Sequence, residues 1–71
     1  MKDAIIYWKA AVDIDPSATG PLASLAKVYD NDRDYETAIM YYELWQKADP
    51  ADAVAKAALE LARENLAKQK K

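Results

Sequence analysis

Apolar residues recur at helical spacing in four stretches of the chain, and three short polar clusters separate them. The clusters DIDPSATGP (13–21), DNDRD (30–34) and ADPAD (48–52) hold most of the Pro, Gly, Asp and Asn. Such residues mark turns, because they supply unusual backbone angles or compete for backbone hydrogen bonds. Between them lie segments rich in Ala, Leu, Lys, Glu and Tyr with no strand alternation. The pattern predicts an all-α chain of four helices, over about 2–14, 19–31, 34–48 and 52–68. Asp34 and Asp52 are placed to cap the third and fourth, and Thr19 or Gly20 to cap the second. Pro21 then falls in a first turn, where a missing N–H costs little. The short links predict antiparallel helical hairpins within a single domain, 1–71.

The helices differ in how their apolar residues are spread around the axis, at about 100° per residue. In the fourth, Val54, Ala55, Ala58, Leu59, Leu61, Ala62 and Leu66 share one arc, as in a helix with one side on a core. In the third, YETAIMYYELWQ (35–46) leaves only a narrow polar wedge of Glu36, Glu43 and Lys47. Tyr35, Ala38, Ile39 and Tyr42 form one apolar side. Met40, Tyr41, Leu44 and Ala48 form another, with Trp45 between the two.

The chain also repeats itself. Asp15-Pro16 recurs as Asp49-Pro50, 34 residues later, and the same shift aligns Ala4 with Ala38, Ile5 with Ile39, Tyr7 with Tyr41 and Leu25 with Leu59. Within one period, Leu22, Leu25, Ala26 and Tyr29 are followed by Ala38, Tyr42 and Pro50. In period and residue types this resembles the tetratricopeptide repeat (TPR) family. The resemblance implies a half-repeat (2–16), a full repeat (17–50) and a capping helix with its tail (51–71). Three positions depart from the family's pattern. Leu22 stands where Trp is usual, Arg33 where Gly often makes the turn between helices, and Trp45 where a small residue packs against the next part of the chain. A side chain of that size implies either a displaced capping helix or an indole turned outward.

Charge and composition narrow the function. Charged residues make up 31% of the chain, the formal net charge is −2, and no concentrated basic face exists, so nucleic acid is not expected as a partner. No apolar run approaches the roughly 18 residues of a membrane span, and no signal-peptide pattern is present. A cytoplasmic location is expected if the sequence is natural. The joint absence of Phe, Cys and His equally suits an engineered one.

Without His or Cys, the commonest general base and the thiol nucleophile are missing, and Ser17 and Ser24 have no evident activating partner. Asp30, Asp32 and Asp34 begin like a calcium loop. Tyr35 and Tyr41 stand where its Gly and bidentate Glu belong, so the match fails. No enzymatic activity, cofactor or metal is expected.

The resemblance instead implies a protein-binding module. The family binds peptides on the face of its first helices, which makes Lys27 and Asn31 groove candidates. The positions of Met40 and Leu44 usually face water and are charged in that family. The expected partner site is therefore the stripe Met40, Tyr41, Leu44, Trp45 and Ala48, taking another protein, a peptide or a second copy of the chain. The alternative is a structural, self-associating repeat unit.

Overall fold

The structure, a computed structural model, describes residues 2–70, without the side chain of Lys2. Among the described residues there are four helices and no strand: α1 (Lys2–Ile14), α2 (Thr19–Asn31), α3 (Tyr35–Ala48) and α4 (Ala53–Gln69). They pack as helical hairpins, α2 against α3 most extensively, then α3 against α4, with α1 resting on α2. The molecule measures 37 × 30 × 14 Å between Cα extremes. A thickness of 14 Å fits two helix layers spaced by about 9 Å, so no third layer covers either face.

Local chemistry sets the ends. Asp34 accepts from Thr37 N–H (3.4 Å) at the start of α3, and Asp52 accepts from Val54 N–H (2.9 Å) and Ala55 N–H (3.4 Å) at the start of α4. The cap of α2 departs from expectation. Ala18, not Thr19 or Gly20, holds the capping position and makes no side-chain bond. The turn before it is organised by Asp15, whose carboxylate accepts from the Ser17 hydroxyl (2.7 Å) and Ser17 N–H (3.2 Å). Both bonds go to Asp15 Oδ1, and α2 starts without a side-chain acceptor.

Arg33 makes the turn between α2 and α3. Its φ of 63° is left-handed, a conformation that glycine adopts more readily. Around it Asp34 N–H donates to Tyr29 C=O (2.9 Å) and Arg33 N–H to Asp30 C=O (3.0 Å), closing the last carbonyls of α2. The Arg33 carbonyl in turn accepts from Gln69 Nε2 (2.9 Å) on α4. A side chain in this conformation costs about 1–2 kcal/mol. Arg33→Gly is therefore expected to raise the unfolding free energy by about 1 kcal/mol, read as a higher urea midpoint. An unchanged or lower midpoint would show that the Arg33 side chain is itself stabilising.

The main core is built by three helices: Leu22 and Ala26 from α2, Ala38, Tyr42 and Trp45 from α3, and Ala55, Leu59 and Ala62 from α4. The alanines let the helices approach, and the rings and leucines fill what remains. The Tyr42 hydroxyl donates to Asp30 Oδ2 (2.8 Å), so this buried ring leaves no polar atom unpaired. Burial, then that bond to a carboxylate, push the Tyr42 pKa far above the ordinary tyrosine value. Leu25 and Val28 are buried outside this cluster. With α3 and α4 engaged in the main core, α1 is the helix left to cover them.

Candidate functional site

The stripe expected on α3 divides into an inner and an outer part. Trp45 belongs to the inner part. It is only 6% exposed and lies in the main core, so it is not available as a surface anchor. The expectation of an outward-turned indole does not hold. It turns inward, where α4 presents the fully buried Ala55 and Ala62 with Leu59 between them. Tyr42 flanks the indole at 6.2 Å between ring centroids.

Tyr41 is also committed internally. Its ring stacks on Tyr29 of α2 at 5.8 Å and 10° between planes, and Lys9 of α1 places its ammonium 5.8 Å from the Tyr29 centroid. The two rings and the cation join three successive helices. Desolvation raises the Tyr41 pKa, the Lys9 charge opposing it.

Met40 and Leu44 remain outside, 48% and 37% exposed, with Ala48 half-buried one turn further. Pro16, Ser17, Leu44, Lys47 and Ala48 line an open cleft of about 320 Å³ where the α1–α2 turn meets the end of α3. It is a shallow apolar trough with one cation at its rim. The groove candidates Lys27 and Asn31 are exposed on α2. Asp30, beside Asn31, is occupied by the Tyr42 hydroxyl. Among the described residues no group of three or more His, Cys, Asp or Glu is placed to hold a metal ion. None of the described helices is long and apolar enough to cross a membrane.

Other exposed apolar side chains lie outside the expected stripe. On α1, Ile6, Tyr7 and Ile14 are 66%, 70% and 86% exposed, and on α4 Val54 and Leu61 are mostly exposed. The signal for α1 was present in its sequence. Ile6, Ala10 and Ile14 follow one another at every fourth residue, opposite Ala4, Trp8 and Val12. For α4 the arc from Val54 to Leu66 is wider than the contact it makes. Ala55, Leu59 and Ala62 are buried, while Val54 and Leu61 lie at the arc's outer edge.

No family model matches the chain, and no curated protein or solved structure matches it either.

Proposed function

We propose that the chain is a non-catalytic, TPR-like protein-binding module whose partner site is the outer side of α3. The observation that carries this reading is the exposed pair Met40 and Leu44, left over after the core has taken Ala38, Tyr42 and Trp45, with the half-buried Ala48 beside Leu44 in the cleft. The partner that fits is an amphipathic helix or short apolar peptide, its greasy side laid along the trough and an acidic residue near Lys47. Trp45 and Tyr41 support this site from within and do not touch the partner.

Display selection of peptides against the chain tests the reading, with Met40→Glu/Leu44→Lys as the comparison target. Both side chains stand at the surface, so the variant keeps its helical circular dichroism. Burying each is favourable by roughly 1.5–3 kcal/mol before ordering costs. Selected peptides should therefore bind the parent chain at least about tenfold tighter than the variant. Equal binding to both would place the partner site elsewhere, with Lys27 and Asn31 the next face to test.

A second reading, a structural self-associating unit, is favoured by a different observation. The half-repeat α1 presents Ile6, Tyr7 and Ile14 to solvent, a larger exposed apolar surface than α3 leaves with Met40 and Leu44.

A further inference from the structure

We infer that the exposed side of α1 is the contact between two copies of this chain, paired antiparallel about a two-fold axis through Ala10. The inference rests on the self-association reading and commits it to one surface. A two-fold interface needs residue i to meet residue j while j meets i. The α1 row satisfies this by itself. Ile6 and Ile14 stand four residues either side of Ala10, so an axis through Ala10 brings Ile6 of one copy onto Ile14 of the other, and the reverse. The small residue falls at the centre, where helix backbones must approach most closely. The corresponding row of α3 is Met40, Leu44 and Ala48, one repeat later, and it has no such symmetry.

The repeat register adds a second observation. Tyr7 corresponds to Tyr41, which is covered by its stack on Tyr29, whereas Tyr7 is 70% exposed. A second copy supplies cover that the chain does not.

The size of the surface sets the strength. Ile6, Tyr7, Ala10 and Ile14 offer on the order of 400 Å² of apolar side chain per copy, about half of what each partner gives to a standard stable interface. The expected association is reversible and in the micromolar range.

Sedimentation equilibrium over about a hundredfold concentration range, with three variants, tests the inference. The parent chain should pass from monomer to dimer. Ala10→Glu sets two carboxylates against each other at the axis and should raise the dimer dissociation constant at least about tenfold, helical circular dichroism being retained. Leu61→Glu, an equally polar change on α4, should leave the dissociation constant unchanged. Because the chain has no cysteine, Ala10→Cys should cross-link to a covalent dimer under mild oxidation, and Ala67→Cys should not.

A chain that stays monomeric throughout overturns this inference together with the self-association reading. A dimer that Met40→Glu dissociates and Ala10→Glu does not, with no cross-link through Ala10→Cys, overturns the α1 surface and leaves self-association standing.

Discussion

Trp45→Ala is expected to be the most damaging single substitution, at about 3–5 kcal/mol. The indole is 6% exposed and is the largest side chain in the cluster shared by α2, α3 and α4. The residues facing it on α4 are small, Ala55 and Ala62, so neighbouring side chains have little volume with which to refill the void. At about 0.05–0.15 kcal/mol per residue, a chain of this size has roughly 4–10 kcal/mol of stability in total. Much of the population would therefore unfold near room temperature, read as loss of helical circular dichroism and an early urea midpoint. Trp45→Phe should lose markedly less. A loss below about 1 kcal/mol for the alanine variant would mean that α4 does not close over the indole.

Leu25→Ala is the second large effect, at about 2–5 kcal/mol. Leu25 is fully buried, yet lies outside the main cluster, on the part of α2 left for α1 to cover. None of the α1 side chains described, from Asp3 to Ile14, is buried, so α1 has little packing to spare. Loss of this one side chain should loosen α1 before it loosens the hairpin of α2 and α3. The signature is a urea transition that is both earlier and broader, with Trp8 fluorescence changing ahead of the helical signal. A single sharp transition at the parent midpoint would show that α1 is held by something other than Leu25.

Helix positions are legible in the sequence because their causes are local. Asp34 and Asp52 cap the segments after them, Pro16 and Pro50 stand in the turns, and the ends of α1 and α2 fall where the polar clusters begin. The α2 cap is not legible, because Asp15 engages Ser17 rather than the helix start, a choice between two local partners that composition does not decide. Trp45 escapes sequence reasoning for a deeper cause. Whether a large side chain turns in or out depends on the volume facing it, and Ala55 and Ala62 stand ten and seventeen residues away on another helix. Tyr41 is similar, since its role depends on finding Tyr29 beside it. Met40 and Leu44 are exposed, on the side of α3 away from Ala38 and Tyr42, as their angular positions on the helix imply. The exposed row on α1 is visible in the spacing of Ile6, Ala10 and Ile14, but its meaning depends on which element, if any, packs over it.

The packing of each helix chiefly on its neighbours in sequence has a kinetic consequence. The contacts that build the core are separated by little more than one hairpin, so closing them requires only short loops. A topology of this kind folds quickly and tends to do so from one hairpin outward, and α2 with α3 is the natural nucleus. Docking of α1 and α4 comes next, and opening runs in the reverse order. Amide hydrogen exchange would then be graded, slowest in the facing turns of α2 and α3 and fastest in α1. The helix that exposes the most apolar surface is thus also the one that leaves its place most often, which makes exchange of α1 between two molecules kinetically accessible without global unfolding.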